Sequence, residues 1–106
     1  MKLMTKEIEA NLKPLYHYEQ SGEEPIAVLK YFDPTGSWSW YAAEGQKQDD
    51  GDWLFWGAVD GFDFEYGYFT LRELEHAKDG CAGLKALPIE RDLYFSPKPM
   101  SELRNK

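Results

Sequence analysis

A chain of 106 residues has room for one hydrophobic core and not for two, and 42% hydrophobic with 16% aromatic content supplies enough bulky apolar material to exclude disorder. The net charge of −7 disfavours direct nucleic-acid contact, because phosphate binding draws on lysine and arginine. No apolar run in the opening MKLMTKEIEANL has the length of a signal peptide or membrane span, and Cys81 is the lone cysteine, so a cytoplasmic protein without membrane association or an intrachain disulfide is expected.

In chain order, Thr5 is placed to cap a helix from Lys6 to about Lys13, with Ile8 and Leu12 on one face and Pro14 at its end. After the polar stretch EQSGEEP, the segment IAVLKYF (Ile26 to Phe32) reads as a strand. The quartet Asp33-Pro34-Thr35-Gly36 has the residue preferences of a type I turn. A return strand is expected from Trp38 to about Ala43, followed by the polar loop GQKQDDGD.

Next come WLFWGAV and FDFEYGYF, joined by Asp60-Gly61, a pair that favours a two-residue hairpin loop. Such a loop sets Val59 opposite Phe62, Gly57 opposite Phe64, Phe55 opposite Tyr66 and Trp53 opposite Tyr68 as a core face. The other face then carries Ala58 opposite Asp63, Trp56 opposite Glu65 and Leu54 opposite Gly67. Its tryptophan and leucine need cover from a helix or a partner, whereas its two carboxylates prefer water.

Thr70-Leu71-Arg72-Glu73 is a capping box, opening a helix that runs to near Gly80 and packs through Leu71, Leu74 and Ala77. CAGLKALP reads as an irregular link and IERDLYF (Ile89 to Phe95) as a fifth strand. Pro97 and Pro99 are expected to forbid further ladder pairing, and Ser101 to cap a last turn. The whole reads as one α+β domain, residues 1–106, with an antiparallel sheet of about five strands and two or three short helices.

The charge is lopsided. Glu44, Asp49, Asp50, Asp52, Asp60, Asp63 and Glu65 stand against Lys47 alone, so that window carries −6 of the −7. Between Tyr31 and Leu71 there is no arginine. A surface of this kind repels phosphate backbones and attracts basic proteins.

The segments LMTKEIEANL, SWSWYAAEG, FWGAVDGFDFEYGYFTLRELE and GLKALPIERDLYFSPKPMSEL together resemble a family of small bacterial proteins defined as a domain of unknown function. The most specific pieces are the stretches Gly67 to Glu75 and Pro88 to Pro99, and the resemblance spans almost the whole chain. It implies a compact single domain, no established activity, and frequent residence on plasmids and integrative elements. It carries over no catalytic residue.

Candidate chemistries separate by residue supply. A zinc site needs about four ligands, and only His17, His76 and Cys81 offer imidazole or thiolate; packing and surface roles suit them better. Cys81 five residues after His76 is within reach of it but not aimed at it, so a nucleophilic pair is not expected. Asp60, Asp63 and Glu65 could gather a divalent metal for nucleic-acid chemistry. On the expected register, however, Asp63 and Glu65 lie about 6.7 Å apart along one strand face, wide for a single ion. Aromatic rings on a sheet can stack bases, but such modules surround the rings with basic residues, and here the surround is acidic.

What remains is a non-enzymatic acidic binding protein, using no cofactor, whose surface comprises Trp56, Asp49, Asp50, Asp52, Asp60, Asp63 and Glu65. Its expected partner is a basic, nucleic-acid-binding protein, and inhibition of host defence, as by an antirestriction or anti-CRISPR protein, is the role the mobile-element resemblance implies. The alternative is a small metal-dependent nucleic-acid enzyme or accessory factor built on the Asp60, Asp63 and Glu65 cluster.

Overall fold

The computed structural model describes residues 1–77 and 87–104. Its elements are α1 (Lys6–Asn11), α2 (His17–Ser21), β1 (Ile26–Ala27), β2 (Leu29–Phe32), β3 (Ser39–Lys47), β4 (Trp53–Asp60), β5 (Phe64–Thr70), α3 (Leu71–Glu75), β6 (Glu90–Arg91), β7 (Lys98–Pro99) and α4 (Met100–Arg104). Five strands form an antiparallel sheet in the order β5-β4-β3-β2-β6, and β1 pairs with β7 in a separate two-stranded ribbon. The expected α+β architecture is the observed one.

Helix starts follow local chemistry. Thr5 Oγ1 accepts from Ile8 N–H at 3.2 Å, and Thr70 Oγ1 accepts from Glu73 N–H at 3.1 Å, so both expected caps form and each satisfies an otherwise orphaned donor. Leu71 and Leu74 face the core, whereas Ala77 is exposed, because the helix gives way to a turn after Glu75 and no longer follows the sheet. Helix α3 therefore ends at Glu75, short of the expected end near Gly80; the CAGLKA part of the irregular link, with Cys81, lies outside the described residues.

Both faces of the sheet are covered. On one, Ile8 of α1 and Leu71 and Leu74 of α3 join Leu3, Tyr31, Phe55, Phe69 and Ile89. On the other, Tyr18 of α2 and Met100 and Leu103 of α4 join Tyr41, Ala43 and Ala58, with Trp56, Phe64 and Phe95 packed against them. Strand β3 therefore has five buried residues in succession, from Tyr41 to Gly45, as a central strand between two layers must.

Several sequence expectations are corrected. The β4–β5 hairpin does not turn on Asp60-Gly61. Asp60 pairs with Ser39 on one side and Phe64 on the other, which draws it into the strand and leaves residues 61–63 as the loop. Gly61 instead leaves room for the Trp38 ring, since a Cβ there would lie 2.7 Å from that side chain and would have to displace it. The register is thereby displaced by three residues. An odd displacement turns every β5 side chain to the opposite face: Phe55 faces Phe69, while Tyr68 and Tyr66 face Trp56 and Ala58.

The expected strand from Ile26 to Phe32 breaks at Val28, its first two residues pairing with Lys98–Pro99 and the rest with β3. Pro99 thus does take part in a ladder, in a ribbon short enough that its missing N–H removes no interior bond. The fifth strand is only Glu90–Arg91, because Asp92 Oδ1 accepts from Tyr94 N–H at 2.9 Å and turns the chain. Helix α4 starts at Met100, so Ser101 lies within it, its N–H donating to Glu24 Oε1 at 3.3 Å.

Two outcomes are expected. At Gly57 a Cβ would lie 1.8 Å from the Tyr41 carbonyl oxygen, so Gly57→Ala must displace backbone; a loss of about 2–4 kcal/mol is expected in urea denaturation. The Tyr31 hydroxyl is buried and donates to the Leu3 carbonyl. Burial pushes its phenol well above the ordinary 10.0, with Arg91 opposing and Glu75 adding. A raised folded-state value means that stability is fully present below pH 10.0 and is lost as pH rises beyond it. Tyr31→Phe is expected to flatten that alkaline loss, measured by denaturation midpoints between about pH 8 and 11.

Candidate functional site

The site begins with a bulge. Ala42 pairs with Gly57 and Glu44 with Trp56, so the register shifts by one between Ala42 and Glu44. Paired residues across a ladder share a face, and the extra residue therefore turns Glu44 to the side of Trp56. Lys13 runs alongside the bulge, donating to the Ala43 carbonyl at 3.4 Å and accepting from Gly45 N–H at 2.9 Å. That contact delivers the chain that follows, Pro14 to Ser21, over the same face.

There Glu44, only 3% exposed, accepts from Tyr16 N–H at Oε1 and from Tyr18 N–H at Oε2, both at 2.8 Å. Two backbone donors, one per oxygen, are what an ionised carboxylate takes when water is withdrawn. Tyr16 adopts the left-handed conformation with φ of 71°, unusual for a bulky side chain. The Glu44 bond to its N–H holds it there.

A cleft of about 410 Å³ opens between α2 and strands β4 and β5. Its walls are the rings of Tyr16, Tyr18, Trp56 and Tyr68, and its charges are Glu19, Glu23 and Glu44, with no cation among the described lining residues. The Tyr68 phenol, on a half-exposed residue, is raised above its ordinary value, first by loss of hydration and then by the neighbouring Tyr16, Glu44 and Glu19. The three carboxylates lining the cleft give it a negative charge. Behind that wall Trp56 stacks on Tyr66, centroids 5.8 Å apart and planes within 9°, and the Arg104 guanidinium sits 5.8 Å over the Tyr66 ring.

The sequence-derived surface residues fall in three places. Asp49, Asp50 and Asp52 occupy the loop between β3 and β4. Asp50 pairs with Arg72 at 3.1 Å, and Asp52 Oδ1 accepts from Trp53 N–H at 2.8 Å and Arg72 N–H at 3.0 Å; both carboxylates pin this loop to the start of α3. Asp60, Asp63 and Glu65 lie at the other end of β4. Asp63 is in the turn and Glu65 is opposite Val59, so the two do not form a row along one strand face, and Glu65 points away from the Trp56 side. Trp56 is half-buried in the cleft wall. Among the described residues no three His, Cys, Asp or Glu side chains are gathered closely enough to hold a metal ion, so Asp60, Asp63 and Glu65 do not converge.

Sequence reasoning missed Tyr16, Tyr18, Glu19, Glu23 and Tyr68 as site residues. The stretch YHYEQSGEEP shows no long periodic pattern, and a five-residue helix held by a carboxylate 26 residues away leaves no local signal. Glu44 stood out only as one charge among seven; its place after two alanines inside an apolar strand was the available clue.

The model of the family described as Protein of unknown function (DUF2958) matches residues 3–105, and the chain belongs to that family. No curated protein and no solved structure matches it. No helix among the described residues is long and apolar enough to cross a membrane.

Glu44→Gln retains one acceptor and replaces the other with an amide that cannot accept. One of the Tyr16 and Tyr18 N–H groups then loses its partner, and a loss of about 1–3 kcal/mol is expected, with faster amide exchange at that residue. An unchanged urea midpoint would show that the two bonds do not hold α2 in place.

Proposed function

We propose that this DUF2958 protein is a non-enzymatic acidic binding protein of the cytoplasm that engages a basic, nucleic-acid-binding protein. The observation that carries the reading is the cleft under α2: four aromatic rings and three carboxylates, one of them buried, with no cation among the described lining residues. Aromatic anchors beside an excess of negative charge, in which His17 Nε2 lies 3.8 Å from Glu23 Oε1, suit a basic protein surface. The same charge disfavours phosphate.

The acids pinned by Arg72 and those at the hairpin end act in this reading as a diffuse negative field that steers a basic partner. The cleft supplies the contact. Residence on plasmids or integrative elements, as the family resemblance implies, would make a host defence nuclease the natural target, with the chain competing against nucleic acid for the basic groove.

The test is capture from the native host on immobilised protein, with duplex DNA as competitor. Glu19→Lys with Glu23→Lys should abolish capture while leaving the melting temperature within about 2 °C of the parent, as expected of exposed substitutions. Capture that DNA fails to displace, or that survives both reversals together with Asp63→Lys and Glu65→Lys, would sink the reading.

A further inference from the structure

We propose that the cleft between α2 and the β4–β5 hairpin receives the guanidinium group of an arginine side chain on the partner, laid against Trp56 and neutralised by Glu19 and Glu23. The inference rests on the basic-partner reading and names the group that enters. A volume of about 410 Å³ falls within the range of sites that enclose a small ligand, roughly 300–1,000 Å³. The carboxylates do not converge as a metal site among the described residues, and ring faces are no ligands for a hard cation. The cation that suits rings and spaced carboxylates together is therefore an organic one.

Within that class, arginine fits better than lysine. A guanidinium is planar, weakly hydrated and stacks on aromatic faces while its edge donates to carboxylates; an ammonium gives up more hydration for a less directional contact. The molecule already makes one such contact on the same aromatic row, where Arg104 covers Tyr66 and Tyr66 stacks on Trp56. The cleft face of this row is left for a second guanidinium. Glu44 has both oxygens engaged by Tyr16 and Tyr18 N–H, so it supplies field and rigidity, and the more accessible Glu19 and Glu23 supply the direct hydrogen bonds.

Tyr16 is an independent pointer. A tyrosine at φ of 71°, half-exposed at the cleft rim, sits where glycine would be easier, and strain of this kind gathers at binding sites. Its ring lines the same cleft as Trp56, at the expense of backbone comfort.

The test uses the full chain and three nonapeptides, of arginine, of lysine and of citrulline, the last keeping the shape of arginine without its charge. Affinity is measured by calorimetry at about 0.15 M salt. The arginine peptide is expected to bind at least tenfold more tightly than the lysine peptide, and the citrulline peptide not detectably. Glu19→Gln with Glu23→Gln should weaken arginine binding at least tenfold. Tyr16→Gly should also weaken it while the melting temperature holds or rises.

Equal affinity for the arginine and lysine peptides overturns the guanidinium assignment and leaves the basic-partner reading standing. Arginine binding untouched by the Glu19, Glu23 and Tyr16 variants overturns the cleft as the site. Binding of neither basic peptide overturns this inference, and the DNA-competed capture decides the partner reading separately.

Discussion

One extra residue in β3 organises the half of this molecule that carries the cleft. Without the bulge between Ala42 and Glu44, Ala43 would sit opposite Trp56 and the Glu44 side chain would enter the apolar layer around Phe55. A lone carboxylate there would find no donors and would carry a desolvation penalty of several kcal/mol. Turned to the other face, the same group meets two backbone N–H donors. Those donors belong to a segment whose helix is one short turn without a side-chain cap at Tyr16, and which is otherwise held by the packing of Tyr18 into the core.

The dependence runs both ways. Hydrogen bonds to a charged group contribute roughly 1.5–3 kcal/mol each when buried, enough to offset the cost of removing the carboxylate from water and to hold Tyr16 in a conformation it would otherwise leave. The result is a wall fastened by two hydrogen bonds and by the packing of Tyr18. A site that holds its rings and charges in place before a partner arrives loses less entropy on association than one that must order them.

Charge in this chain has two separate uses. In the loop between β3 and β4, Asp50 and Asp52 act structurally, with Arg72 and the start of α3 drawing the loop against the sheet. At the hairpin end Asp63 and Glu65 remain exposed, wetting the tip beside Phe62, which is 95% exposed and packs edge-on against Trp38. A count of formal charge treats these acids alike. Only their partners distinguish a carboxylate that fastens two elements from one that faces solvent.

The architecture was legible because it rests on local chemistry. Thr5 and Thr70 cap helices wherever the chain around them goes, and the runs IAVLKYF, WLFWGAV and EYGYF have strand composition on any register. The family resemblance and the α+β class follow from such stretches. The hairpin register was not legible, since Asp60-Gly61 favours a two-residue loop in isolation and only pairing with Ser39 on the neighbouring strand draws Asp60 into the ladder. The cleft was hidden for the same reason: its rings come from α2, β4 and β5, and its buried carboxylate is turned inward by a bulge whose stabilising contact, Lys13 beside Glu44, joins residues 31 apart in the chain. The sequence by itself determined the capped helices, the strand character of the main sheet segments and the negative charge; tertiary structure decided the short elements α2, β1, β6 and β7 and which side chains meet, because a register is set by the neighbouring strand and not by the turn alone.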